Sequence, residues 1–269
     1  MILEGRRLLI SGVVNDESIA FATARRAQEL GAEVALSAFP RDLEKTTDAA
    51  RLLPAEPPVF AADLASPEET AALGEAISAL WGELDGALHA IAFAPQSALA
   101  GDFMDAPARD LDIAFQTSTV SYAALGRLLR DLSPGPGSSL VGLDFDAAGA
   151  WPVYNWMGVC KAALESANRY LARDLGSHGI RANLIAAGPI HTRAAGGIPD
   201  FDVLLDAWET RSPLEWDATD SYPVADTACF LFSDLSRAMT GEILHVDGGY
   251  HAMAGALRAS DRAPSEAVR

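Results

Sequence analysis

The chain is predicted to be an α/β protein with one doubly wound parallel sheet of seven strands and helices on both faces. Three observations carry this expectation. Short apolar runs alternate with longer amphipathic runs from residue 7 to residue 246, the pattern that parallel strands joined by crossover helices produce. At 269 residues and 49% hydrophobic, the chain can build one α/β domain with a sizeable core. Gly12, Phe39, Asp63, Ala92, Phe145 and Gly188 each follow an apolar run. They would gather beyond the carboxyl ends of the strands, where such sheets bind ligands.

Arg7 to Ser11 reads as the first buried strand, closed by Gly12. Ser18 precedes a run with apolar residues at helical spacing, and Gly31 stops it as a C-cap does. Residues 32–37 make the second strand of a right-handed βαβ unit. A pyrophosphate would sit at Ser18 and Ile19, where a helix N-terminus favours an anion. The full G-x-G-x-x-G fingerprint is absent, with Gly12 standing alone. Phe39 is placed to stack on an adenine. No acidic residue stands at that strand end to take a ribose diol, and nearby Arg41 leaves room for a 2′-phosphate, so NADPH stays open beside NADH.

Residues 58–62 form a third strand ending at Asp63 and Leu64, a candidate adenine-edge contact, and Pro67 to Trp81 is a helix. A fourth strand spans residues 86–92, with His89 expected as a core histidine rather than a catalyst. Residue 105 opens a long helix to about Leu132 carrying Ser118 and Tyr122; residues 133–137 are a turn, and 139–143 the fifth strand. A central helix follows, then a sixth strand at 180–186 and the loop Gly188, Pro189, Ile190, His191, Thr192, whose Thr192 hydroxyl is placed for a carboxamide or phosphate. Residues 193–216 are polar, broken by glycines and Pro199, and read as a lid with a short helix near 201–208. A helix at 223–233 and a strand at 241–246 complete a domain spanning residues 1–253, and residues 254–269 are expected to be a mobile tail.

The central helix concentrates the chemistry. Tyr154 and Lys161 are seven residues apart, nearly two turns, which puts them on one helical face. An ammonium so placed is expected to lower the phenol's pKa. An ordinary amphipathic helix is the competing explanation. Lysine occurs only at positions 45 and 161.

The formal charge of -17 disfavours nucleic acid and anionic membrane as partners. No apolar stretch reaches the length of a membrane span, and the N-terminus lacks a signal-peptide pattern. Cys160 and Cys229 offer neither a disulfide framework nor metal-ligand spacing. A cytoplasmic protein without a metal is expected.

Gly12 with Ser18-Ile19-Ala20, Tyr154-Asn155-Trp156-Met157 with Lys161, Ala187-Gly188-Pro189-Ile190 and Asp247-Gly248-Gly249 resemble the short-chain dehydrogenase/reductase superfamily. Within it the chain is similar to the NADH-dependent enoyl-acyl-carrier-protein reductases of mycobacterial type, through residues 142–146 and 152–157. The resemblance covers about residues 3–251 and implies a Rossmann-type domain, usually in a homotetramer. It implies reduction of a trans-2-enoyl thioester on acyl-carrier protein or coenzyme A; another activity of the superfamily on a ketone or alcohol, or NAD binding without catalysis, is the alternative. Tyr154, Lys161 and Phe145 take the catalytic places. Ser11, Gly12, Ser18, Ile19, Phe39, Asp63, Leu64, Ala92, Lys161, Ile190 and Thr192 take the NADH-binding ones. Carbonyl-reducing members carry Tyr-x3-Lys and an upstream Ser; Met157 and Asp144 stand there instead. Ala90 and Ala92 replace the usual Ser and Gly of the fourth strand end, and the lid is short for the mycobacterial type. Acidic carrier proteins would be repelled by the net charge unless Arg193 and Arg211 gather at the portal.

Overall fold

The computed structural model describes residues 1–192 and 195–257; Arg193 and the tail from 258 onward lie outside the described residues. Seven strands, β1 (Arg7–Ser11), β2 (Glu33–Ala38), β3 (Val59–Ala61), β4 (Gly86–His89), β5 (Ser139–Asp144), β6 (Arg181–Ala187) and β7 (Ile243–Val246), form one sheet in the order β3-β2-β1-β4-β5-β6-β7. Every adjacent pair is parallel. The doubly wound Rossmann-type sheet is therefore as expected. Chain order reverses between β1 and β4, which opens a crevice at their carboxyl ends.

Nine α-helices are found among the described residues. These are α1 (Ile19–Glu29), α2 (Leu43–Ala50), α3 (Pro67–Trp81), α4 (Gln96–Leu99), α5 (Ala108–Phe115), α6 (Ser121–Leu132), α7 (Asn155–Gly176), α8 (Asp202–Arg211) and α9 (Tyr222–Phe232). One core joins α1 and α9 to one face of the sheet through Ala24, Ala27, Val224 and Phe232. The opposite core joins α3, α6 and α7 through Ile77, Leu125, Leu129 and Leu164. A third cluster, rich in aromatic rings, lies between α7 and α8.

Local chemistry explains where the elements start. Ser18 caps α1 by accepting from the Phe21 amide at 3.1 Å, and Ser66 caps α3 by accepting from Glu69 at 3.2 Å. The helix expected from residue 105 is interrupted. Ala106 precedes a proline and is extended, so α5 begins only at Ala108. A π-helical turn, Gln116–Val120, then joins α5 to α6. Two of its hydroxyls bond to other segments: Ser118 Oγ accepts from Phe93 N and donates to Phe93 O, and Thr119 donates to Cys160 O. β4 also stops earlier than residue 92, because the loop after His89 is held by Ser118 rather than by a neighbouring strand. Helix α2 has no counterpart in the sequence reading.

Candidate active site

One cleft of about 1130 Å³ runs along the carboxyl edge of the sheet. Its size exceeds that of an ordinary small-molecule pocket and leaves room for two ligands side by side. At its β1 end, Gly12 has φ +92, and a Cβ there would lie 2.1 Å from Ala90 O. Only glycine makes this turn against the β4 loop. The turn delivers Ser18 and Ile19 to the cleft wall, where the first amides of α1 lack intrahelical partners. Asn15 Oδ1 is buried at this rim without a hydrogen-bond partner. An anion-friendly helix end and an unsatisfied acceptor fit a dinucleotide.

Along the β2 and β3 ends, Phe39, Asp63 and Leu64 line the cleft. The Asp63 carboxylate accepts from the Ala65 amide at 2.9 Å, which fixes the turn. Arg41 lies with its guanidinium 4.7 Å from the Phe39 ring centroid and 5.2 Å from that of Phe93. The acidic residue missing from the β2 end itself is supplied by Asp42, which lines the cleft and binds Lys45 at 3.1 Å. The sequence reading passed over Asp42 because it sits on a 3-10 turn, Pro40–Asp42, not at the strand terminus. Ala92, Ile190 and Thr192 also line the cleft, and Thr192 Oγ1 accepts from the Ala195 amide at 3.1 Å. Ser11 is placed elsewhere: it is buried in β1 and donates to Leu88 O at 2.6 Å.

The middle of the cleft brings Tyr154, Lys161 and Phe145 together. The expectation that Tyr154 and Lys161 share one helix is corrected. Tyr154 is the N-cap residue of α7, with φ -120 and ψ -22, and the helix begins at Asn155. Val153 at φ 59 and Asn155 at φ 34 bend the chain sharply on either side of it, a strained arrangement of the kind found at functional sites. Asn155 Nδ2 donates to Gly101 O at 3.1 Å and holds the bend. Phe145 and Tyr154 rings stand 5.1 Å apart at 53°.

Lys161 is buried, and its Nζ donates to Leu143 O at 2.8 Å. Burial lowers its pKa, while Asp144 opposes that shift. Asp144 is 5% exposed, and neither carboxylate oxygen has a partner. Burial pushes its pKa up to about 7 despite the attraction of Lys161. The expected depression of the tyrosine pKa is overturned. Burial first, then the Asp144 charge, raises the Tyr154 phenol above its usual value, so it keeps its proton. His89 is a core histidine, as expected. Its Nε2 meets Ser121 Oγ at 2.7 Å, and burial holds its pKa down at about 3. Both cysteines are free and buried.

The arrangement joins a dinucleotide-sized trough to a neutral, buried phenol backed by an ammonium. Such a site suits hydride addition with a hydrogen-bond donor waiting for negative charge. Comparison with known proteins points the same way. The enoyl-(acyl carrier protein) reductase family matches residues 12–251. An enoyl-[acyl-carrier-protein] reductase [NADH] of Mycolicibacterium smegmatis is 41% identical over 262 residues, covering 92% of this chain and 97% of its own. The Mycobacterium avium protein of the same name is 40% identical over 92% of this chain and 97% of its own. An enoyl-[acyl-carrier-protein] reductase [NADH] from Neisseria meningitidis is 42% identical over 92% and 95% of the two chains. With its sheet, cleft and Tyr–Lys pair in place, the chain belongs to the enoyl-(acyl carrier protein) reductase family.

Proposed function

We infer that the protein reduces the trans-2 double bond of an enoyl thioester with NADH, in the synthesis of fatty acids or related acyl chains. The observation that carries this reading is Met157. It is buried at the cleft wall, one turn before Lys161, where a carbonyl reductase of this superfamily would hold its tyrosine. The acid stands instead at Tyr154, farther from Lys161 along the chain. That displacement suits an oxygen three bonds removed from the carbon being reduced.

Bound in the cleft, NADH supplies the hydride that C3 of the enoyl group accepts. Lys161, anchored on Leu143 O, offers its remaining N–H bonds to the cofactor's ribose hydroxyls. Gly12, Ser18 and Ile19 receive the pyrophosphate, and Ile190 and Thr192 the carboxamide end. Tyr154 keeps its proton and donates a hydrogen bond to the thioester oxygen, stabilising the charge that collects there. Phe145 forms the wall against which the enoyl group lies, and the α-carbon takes its proton from solvent. Asp42 disfavours a 2′-phosphate near Arg41, which supports NADH over NADPH.

The carrier is acyl-carrier protein or coenzyme A. Among the described residues no helix is long and apolar enough to cross a membrane, in keeping with a cytoplasmic place. The homotetramer expected of the family is supported by Phe115 and Val159. Each is 41% exposed, and with Trp156 they line a small apolar groove on α5 and α7.

The test is NADH oxidation with a short enoyl-CoA against the matching 3-ketoacyl-CoA. Turnover is expected only with the enoyl ester; the reverse preference would overturn the reading. Tyr154→Phe is expected to lower kcat on the order of 10²- to 10³-fold while leaving NADH affinity unchanged.

A further inference from the structure

We propose that Phe145, Trp151, Trp208 and Tyr250 form a fixed aromatic stop behind Tyr154 that restricts the enzyme to short acyl chains. The inference rests on the reading that the cleft takes an enoyl thioester, and it specifies which thioesters. The rings make one continuous cluster. Phe145 lies 5.1 Å from Trp151 and 5.6 Å from Trp208. Trp151 lies 5.2 Å from Trp208 and 5.5 Å from Tyr250, and Trp208 stacks on Tyr250 at 3.9 Å and 9°. Of the four, only Phe145 lines the cleft. The other three fill the space behind it and close that side of the cleft to an acyl chain.

Three of the four rings are pinned by a polar contact as well as by their neighbours. Trp151 Nε1 donates to Asp146 O at 2.5 Å, and Trp208 Nε1 to Asp247 O at 3.0 Å. Arg211 lies over the Tyr250 ring, 4.4 Å from its centroid, and donates to its hydroxyl at 3.2 Å. A second Arg211 nitrogen donates to Met253 O. Turning Trp151, Trp208 or Tyr250 aside to admit a chain breaks a hydrogen bond and an aromatic contact together. Gly188 closes the stop from the sheet side: a Cβ there would come within 2.8 Å of both Trp208 and Trp216. Close-packed rings so tethered make a wall, not a flexible lining.

A methylene that enters an apolar pocket gains about fourfold in binding, and one that meets a wall gains nothing or is rejected. Steady-state kinetics with trans-2-enoyl-CoA esters of four, eight and twelve carbons, at saturating NADH, measure this directly. For the wild-type protein kcat/KM is expected to fall at least about tenfold from the four- to the twelve-carbon ester. Trp151→Ala and Tyr250→Ala, each checked for folding by circular dichroism, are expected to raise the twelve-to-four-carbon ratio at least about tenfold. A wild-type kcat/KM that rises through twelve carbons overturns the stop, and this arm needs no variant. A ratio unmoved in both folded variants overturns it too. Absence of turnover with every ester would instead sink the enoyl-reductase reading, and the stop with it.

Discussion

Asp144 is the residue whose surroundings are least ordinary. Its carboxylate is buried, unpartnered and next to Lys161, with a pKa of about 7 against 3.8 for the free side chain. A group that binds its proton more tightly when folded stabilises the fold below its unfolded pKa, and that contribution is lost as pH rises through the folded value. From pH 4 to pH 7 Asp144 therefore lowers stability, by on the order of 4 kcal/mol in total. His89 acts in the opposite sense. Its pKa is held at about 3 against 6.5, so it lowers stability as pH falls below 6.5. The wild-type profile combines both. Asp144→Asn isolates the first: urea unfolding at pH 5 and pH 8 is expected to show the variant gaining on the wild type at the higher pH. An equal difference at both values would contradict the burial penalty. The sequence showed that Asp144 stands where carbonyl reductases carry serine, but not that its oxygens lack partners, because burial without a donor is a property of the assembled floor.

At the scale of elements, the π-helical turn between α5 and α6 ties two parts of the cleft together. Ser118 holds Phe93 through both its amide and its carbonyl, at 3.0 and 3.1 Å, and so fixes the loop after β4 that carries Ala92. Ser118→Ala leaves both backbone groups without that partner. The expected cost is about 1–3 kcal/mol of stability, with weaker NADH binding, read by urea unfolding and by fluorescence titration. Unchanged values in both would show that the loop is held by other means. The strands and most helices were legible because apolar runs and caps are local: Ser18, Ser66 and Gly31 mark boundaries by their own chemistry. Helix α2 was missed because its sequence is mostly polar or small, with only Thr46, Ala49 and Ala50 buried. The break of the long helix was missed although Pro107 signalled it. The π turn left no local mark, since its cause lies in Phe93 and Cys160, distant in sequence. Of the candidate site, every cleft residue named from the sequence except Ser11 lines the trough. Strand ends are legible, but the direction of a side chain at the last strand position is not.

For the whole molecule, charge decides how substrates arrive. The net charge is -17, and Arg211, one of the cations expected at the portal, is engaged with Tyr250 and Met253 instead. An acidic carrier protein approaches against this field. Raising salt from 50 to 200 mM is expected to increase kcat/KM for a carrier-bound enoyl group by about two- to tenfold, by screening. A neutral N-acetylcysteamine thioester should show no such rise. A fall for the carrier-bound substrate would reveal a local basic dock. The site also straddles two separately built interiors. Lys161 rides on α7, whose Leu164, Ala172 and Leu175 belong to the core beneath the sheet, whereas Tyr154 belongs to the aromatic cluster with Phe145 and Trp208. That cluster is smaller than either of the two cores that cover the sheet. On warming, it is expected to loosen before the sheet does. Turnover then ceases at a temperature below the melting point, and cooling from that interval restores it fully, since the larger framework never came apart.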